Sequence, residues 1–233
     1  MKIGLFGYGK MGRMIDRLAT ARGHQVVARI DGPADQIPFD QMDVAIDFSQ
    51  PGAAVENISQ CLQNGVPVIS GTTGWLADFD KVTELCQARD GAFLYASNFS
   101  LGVNLFFELN RYLSRLMSGV QGYSVHITEI HHSGKKDAPS GTAISLAEGI
   151  IENSDYHSWS PDAKGSGNIP IVSERTGDIP GTHRIAYDSE VDRIEIRHSA
   201  HSREGFAQGA LLAAEWLVGK KGVFGMKDVL NLR

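Results

Sequence analysis

Residues 129–143 read EIHHSGKKDAPSGTA: two adjacent histidines, His131 and His132, then two adjacent lysines, Lys135 and Lys136, then a Pro-Ser-Gly turn into an apolar run. The histidines end a strand-like stretch, YSVHITEIHH, and successive strand residues point to opposite faces, so at most one of them serves a substrate. The run after PSGTA has helical period, so Ser140 or Thr142 can cap a helix there while the amides of Gly141 and Thr142 point outward from its positive end. Lysines are unfavourable at that end of a helix unless an anion offsets them. Either Lys135 and Lys136 simply extend into water, as surface lysines do, or a bound carboxylate accounts for the whole cluster. An imidazole beside ammonium groups and a bound dianion is placed to act as a general acid near neutral pH. The chemistry suggested is capture of a small dicarboxylic acid next to a proton donor.

A second pattern stands at the start of the chain. GYGKMG places Gly7, Gly9 and Gly12 in GxGxxG spacing, with Tyr8, Lys10 and Met11 between them, after an apolar strand and at the opening of a helix. Such glycines give a tight turn, let the backbone approach a pyrophosphate and let helix pack on strand. Asp31 ends the next strand, where an acid accepts hydrogen bonds from an adenosine ribose. A carboxylate about 4 Å from a 2′-phosphate repels it by roughly 1 to 4 kcal/mol. NADH is therefore expected to be at least as good a cofactor as NADPH, with Arg29 and Lys10 the nearest cations able to offset Asp31. SGTTG, residues 70–74, follows the fourth strand at the edge where doubly wound sheets bind ligands. It either lines the nicotinamide or serves as a helix-capping turn.

The elements that must position these groups fall into two regions. The first hundred residues alternate β-branched runs with segments of helical period, which indicates a parallel sheet covered on both faces, a doubly wound α/β domain. After residue 98 come a long helix, the strand ending in the histidines, the helix after PSGTA and three more strand-like runs. Two of these, IAYD and RIEI, flank SEVD as an antiparallel hairpin. This second region is an α+β unit with a mixed or antiparallel sheet. Residues 153–168 read as a mobile polar loop. REGFAQGALLAAEWLVGK is an amphipathic helix that returns to pack on the first domain, with no sheet left to start. The expected division is 1–100 plus 204–233 for dinucleotide binding and 101–203 for substrate binding and oligomerisation.

Composition narrows the function classes. The 233 residues carry a formal charge of −5 with lysines and arginines dispersed, which argues against a nucleic-acid partner. The most apolar helical stretch is too short to span a membrane, and no signal-peptide pattern precedes the first strand, so a cytoplasmic protein is expected. Cys61 and Cys86 lie in helical patterns without CxxC spacing and read as core thiols rather than a disulfide or metal site. No metal ligand set is expected.

EIHHSGKKDAPSGTA closely resembles the signature of the 4-hydroxy-tetrahydrodipicolinate reductase (dihydrodipicolinate reductase) family, and the likeness extends to GYGKMGR, DFSQP, GTTG, ASNFSLGVN, SAHSREGFAQGA and GVFGMKDVLNL. The resemblance implies hydride transfer from NAD(P)H to a cyclic imine on the diaminopimelate and lysine pathway. It implies His131 as general acid, Lys135 as the residue that binds and polarises substrate, Gly141 and Thr142 as holders of a substrate carboxylate, and a supporting role for His132. It places Gly71, Thr72, Thr73, Asn98 and Phe99 on the nicotinamide side, and it implies a homotetramer formed through the second sheet. The strand edges around RIAYDS and RIEIRHS suit such pairing. The chain departs from longer members in having little between its second and third strands, Gln50 where many have arginine, and Gly32 where others have a basic residue. Both substitutions weaken a 2′-phosphate pocket.

Two other readings compete. Another nicotinamide enzyme on amino-acid substrates, such as an aspartate dehydrogenase, would share the fold; semialdehyde dehydrogenases need a nucleophilic loop cysteine, which neither cysteine supplies. A redox- or acid-sensing binding protein would bind NADH without consuming it.

Overall fold

The computed structural model describes residues 1–32, 36–161 and 167–232. The chain forms two compact units, Met1–Leu101 with Glu204–Arg233 and Gly102–Arg203. In the first unit the elements run β1 (Lys2–Phe6), α1 (Lys10–Ala21), β2 (Gln25–Ile30), β3 (Val44–Asp47), α2 (Pro51–Gln63), β4 (Val68–Ser70), α3 (Phe79–Ala88) and β5 (Ala92–Tyr95). The second unit holds α4 (Leu101–Met117), β6 (Ser124–His131), α5 (Gly141–Ile151), β7 (Ser158–Ser160), β8 (Asn168–Arg175), β9 (Gly181–Asp188) and β10 (Arg193–Ala200). The chain then returns to the first unit with α6 (Glu204–Leu217), β11 (Gly222–Phe224) and the short α7 (Met226–Val229).

The first sheet has six strands in the order β11-β5-β4-β3-β1-β2, every pairing parallel. Its apolar runs lack alternation because successive residues enter two different cores. Leu5, Ile46, Ile69 and Leu94 pack with α1 and α6, where Ile15, Ala210, Leu211 and Ala214 are buried. Their neighbours Phe6, Ala45, Val68 and Phe93 pack on the opposite layer with Ile58, Leu62 and Val82 of α2 and α3. Cys61 and Cys86 are free and belong to that second core, where burial pushes both thiols up.

The second sheet is mixed, in the order β10-β9-β6-β8-β7. β6 runs parallel to β8 and antiparallel to β9, and β9 pairs with β10 as the expected hairpin, Arg193 opposite Asp188. One face is covered by α4 and α5, whose Phe106, Leu146 and Ile150 meet Val125, Ile127, Ile169, Ile171, Ile185 and Tyr187.

Three expectations need correction. The last helix is followed by a sixth strand: β11 pairs with β5 through Val223 opposite Phe93, so the returning segment extends the sheet as well as covering it. The stretch 153–168 is not wholly loop, because β7 pairs in parallel with β8 from Ser158 opposite Asn168 to Ser160 opposite Pro170; its residues 162–166 lie outside the described residues. RIAYDS is not an edge, since β9 is paired on both sides; RIEIRHS, in β10, does form the terminal strand. Among the described residues no helix is long and apolar enough to cross a membrane.

Candidate active site

The covered face of the second sheet changes character along β6. At every second position stand Val125, Ile127, Glu129 and His131, the first two in the apolar core and the last two buried but polar. The neighbouring strands change in step: Ile127 lies opposite Ile185 and Ile171, Glu129 opposite His183 and Ser173, and His131 opposite Arg175. One sheet face therefore supplies a hydrophobic core at one end and a charged cluster at the other.

Glu129 is the hub of that cluster and is fully buried. One carboxylate oxygen accepts from Arg175 Nη2 at 2.7 Å and from the Ser140 amide at 3.3 Å. The other pairs with Nδ1 of His131 in a short contact. Burial would raise this carboxyl, yet hydrogen bonds from His131 and Arg175 outweigh it and hold the group down at about 2. Arg175 Nη2 also reaches the carbonyl of Asp137 at 2.6 Å. The His183 ring meets that of His131 edge-on, centroids 5.1 Å apart, and its Nε2 lies 3.1 Å from Ser140 Oγ. Burial, with the charge of His131 nearby, pushes the His183 imidazole down to about 3, so it is neutral at physiological pH. Donor atoms of Glu129, His131 and His183 come within 4.8 Å of one another, but the carboxylate is already taken by a guanidinium and an imidazole, which fits a proton-holding network rather than a metal centre.

The start of α5 abuts this cluster. Ser140 is the N-cap, its Oγ accepting from the Ala143 amide at 3.2 Å, which settles the choice between Ser140 and Thr142. The amides of Gly141 and Thr142, first and second in the helix, have no intrahelical acceptor. No acid occupies the first turn, and a Cβ built on Gly141 would meet nothing within 4 Å. The pair is thus open to an anion. Lys135 does not simply extend into water: its Nζ lies 2.8 and 2.7 Å from the two carboxylate oxygens of Asp137. An incoming carboxylate would have to share or displace that contact. Lys136 is exposed, and His132, turned away from Glu129, has Nε2 3.1 Å from Arg203 Nη2.

In the first unit the GYGKMG loop joins β1 to α1. Gly7 adopts φ +88°, and a Cβ there would stand 2.2 Å from the Phe48 carbonyl oxygen; a Cβ on Gly12 would be equally close to the carbonyl oxygen of Gly7. Gly9 faces open space, caps α1 without a side chain, and the first turn holds no acid. These features fit a pyrophosphate resting on the helix start. Lys10 is exposed and Met11 half-buried beside the core. Asp31 accepts from the Tyr8 amide at 3.1 Å. Arg29 is bound to Asp16 by two contacts, 2.7 and 3.0 Å, and lies over the Tyr8 ring at 5.8 Å, while the Tyr8 hydroxyl donates to Asp16 at 2.5 Å. The Arg29 guanidinium, foremost in these contacts, keeps the Asp16 carboxyl below its usual range.

Of the two loops expected near the nicotinamide, the one after β4 is tied by Asp47 to the loop after β3 and to α2. This buried carboxylate accepts from Ser49 Oγ at 2.6 Å, Asn57 Nδ2 at 3.2 Å, Ser70 Oγ at 2.8 Å and Thr72 Oγ1 at 2.7 Å. Thr72 is buried and its backbone is engaged as well, the amide donating to Ser70 Oγ at 3.3 Å and the carbonyl accepting from Trp75 Nε1 at 2.7 Å, whereas Thr73 is exposed. Gly71 must lack a side chain because a Cβ would stand 2.3 Å from the Phe48 ring. Asn98 accepts from the Ser100 amide at 2.9 Å, and Phe99, 1% exposed, packs on Phe48 with ring centroids 5.6 Å apart, so its ring is core. The residues that sequence reasoning missed are Arg175, His183 and Asp47, and it quoted Glu129 without a role. The available signal was a polar residue at a core-facing step of an alternating strand, as at Arg175 after Ile169, Ile171 and Ser173.

Comparison with known proteins gives a consistent family. The family model described as "Dihydrodipicolinate reductase, N-terminus" matches residues 1–99, and that described as "Dihydrodipicolinate reductase, C-terminus" matches residues 102–230. A 4-hydroxy-tetrahydrodipicolinate reductase of Christiangramia forsetii is 51% identical over 99% of this chain and 98% of its own length. One of Methanoregula boonei is 38% identical over 82% of this chain and 75% of its own. Among solved structures, a dipicolinate-bound dihydrodipicolinate reductase from a Paenisporosarcina species has a TM-score of 0.77 at 24% identity, covering 98% of both chains. An aspartate dehydrogenase from Thermotoga maritima reaches 0.53 at 16% identity, covering 94% of this chain and 97% of its own. At such identities these two structures speak for the fold alone.

Proposed function

The chain belongs to the dihydrodipicolinate reductase family and is an oxidoreductase, and from that premise we propose that it reduces 4-hydroxy-tetrahydrodipicolinate, as its dehydrated cyclic imine, to tetrahydrodipicolinate on the diaminopimelate and lysine pathway. Gly7, Gly9, Gly12 and Asp31 would hold a nicotinamide dinucleotide, assisted by Gly71, Thr73 and the backbone of residues 98–99. Bound there, the reduced nicotinamide supplies a hydride. The amides of Gly141 and Thr142 and the ammonium of Lys135 hold the substrate carboxylates. Hydride addition to the conjugated imine leaves an enamine, and His131 delivers the proton that its carbon takes up. The observation that carries this reading is the juxtaposition of a buried imidazole, tied through Nδ1 to Glu129, with an α5 start whose first two amides have no intrahelical acceptor.

The cofactor reading also gains support. Arg29 is engaged with Asp16, Arg13 donates to the Tyr8 carbonyl at 3.2 Å, Gly32 carries no charge and Gln50 stands at the N-cap of α2, so among the described residues Lys10 is the nearby cation left exposed to face a 2′-phosphate beside Asp31. NADH should be at least as good a reductant as NADPH; a specificity constant many-fold higher for NADPH would reverse this. The terminal strand β10 is the edge through which homotetramers would form, which sedimentation equilibrium can check.

The deciding assay follows NADH absorbance with freshly generated substrate, with oxaloacetate plus ammonia, and with no substrate. Consumption should occur only in the first case, and His131→Gln should lower turnover on the order of 100-fold or more. Normal turnover in that variant removes His131 from the role. Binding without consumption would point to a sensor, and consumption with oxaloacetate to an aspartate dehydrogenase.

A further inference from the structure

We propose that Glu129 is the positioning residue for the proton donor: its carboxylate takes the Nδ1 proton of His131, leaving Nε2 as the nitrogen that faces the substrate, and Arg175 holds the carboxylate in place. The proposal rests on the reading of His131 as general acid and adds to it the atom and the device that selects the atom.

The argument starts from burial. A carboxylate removed from water needs compensating partners, and those of Glu129 are a guanidinium, a backbone amide and an imidazole. Held down at about 2, the group is ionised at neutral pH and can only accept. The proton in its contact with His131 must then reside on Nδ1, which fixes the tautomer of the neutral ring and stabilises the charged ring. Nε2 is left for the reaction, and the chain keeps it clear: a Cβ at Gly181 would stand 3.0 Å from it.

The other ionisable groups around the ring do not duplicate the role. His183, facing it from β9, is neutral and has its Nε2 on Ser140. Arg175, paired opposite on β8, is bound to Glu129 and the Asp137 carbonyl. Lys135 and Asp137, from the segment after β6, pair with each other. His198 on β10 acts on His183. Among the described residues, Glu129 is the hydrogen-bond partner of Nδ1, with no other ionisable group on that nitrogen.

Two measurements test this on the full-length protein. In ¹⁵N-histidine spectra of the wild type, neutral His131 should carry its proton on Nδ1; a proton on Nε2 overturns the proposal, whatever the variants do. In kinetics, Glu129→Gln should reduce kcat by about 10- to 100-fold and move the alkaline limb of its pH profile down by about one unit or more, while KM for the substrate changes less than about threefold. Glu129→Asp should recover part of the limb. An unmoved limb in a folded Glu129→Gln protein overturns the proposal, as does a rise in KM with kcat intact. If Glu129→Gln does not fold, the wild-type tautomer decides. Should His131→Gln retain turnover, the general-acid reading fails on its own, and the tautomer measurement still reports separately on Glu129.

Discussion

Asp47 and Glu129 invite comparison. Each is a fully buried carboxylate at or near the end of a strand, one in each compact unit, and each gathers several donors. The side chains around Asp47 are all neutral: three hydroxyls and one amide, drawn from the loops after β3 and β4, from the end of β4 and from α2. Those around Glu129 include a guanidinium and an imidazole from two strands. Neutral donors cannot exchange a charge with their acceptor, so Asp47 joins pieces of chain into one geometry. A carboxylate among charged partners sets where a proton and a cation reside. The same buried group thus serves as a fastener in one unit and as an electrostatic reference in the other.

The largest expected effect separates the two units by acidity. The Glu129 carboxyl, ordinarily near 4.5, sits at about 2 in the fold, so its contribution is complete above about 4.5 and vanishes as pH falls toward 2. The His183 imidazole, ordinarily near 6.5, sits at about 3, so below about 6.5 the unfolded chain binds the proton more readily and stability falls until about 3. Each shift corresponds to a few kcal/mol, on the order of 3 to 5. Denaturation against pH should therefore show loss beginning below about 6.5. His183→Gln, which has nothing to titrate, should flatten the upper part of that loss; an unchanged profile would break the assignment of the acid-sensitive site to the second unit.

Next in size, Asp47→Ala strands four donors in the first unit and should cost about 2 to 4 kcal/mol by chemical denaturation, with KM for the cofactor raised more than kcat is lowered. Asp47→Asn should recover most of the stability, because neutral donors need only an acceptor and hydroxyls can turn. Glu129→Gln should show no such tolerance in activity. If both amide variants behave alike, the distinction drawn above is wrong. The smallest effect concerns Asp16: Asp16→Asn frees Arg29 beside the dinucleotide loop and should raise the ratio of NADPH to NADH specificity constants by about tenfold, which Arg29→Gln in the same protein should cancel.

Much of this was legible in the residues. Runs such as VAID and AFLY declare a two-sided sheet because neither face can be polar, and the glycines of GYGKMG and the cap at Ser140 follow from local geometry. β7 and β11 were not legible: each is three residues long, and β11 pairs with β5 from over a hundred residues earlier, so no local period marks it. Arg175 and His183 lay in segments read correctly as strands, but their meeting with Glu129 depends on register between strands, which a single sequence does not state. The salt bridge of Lys135 with Asp137 was overlooked for a different reason, since charge counting alone does not say which of several neighbours a flexible ammonium prefers.

Val125, Ile127, Glu129 and His131 share one side of one strand, and that arrangement has a bearing on quality control of the protein itself. A slip of β6 by a single residue would aim Thr128 and Ile130 at the helices and turn both the oily anchors and the imidazole outward together. Misassembled molecules of this unit would then be inert and fragile at once, so specific activity in a preparation doubles as a count of correctly paired chains.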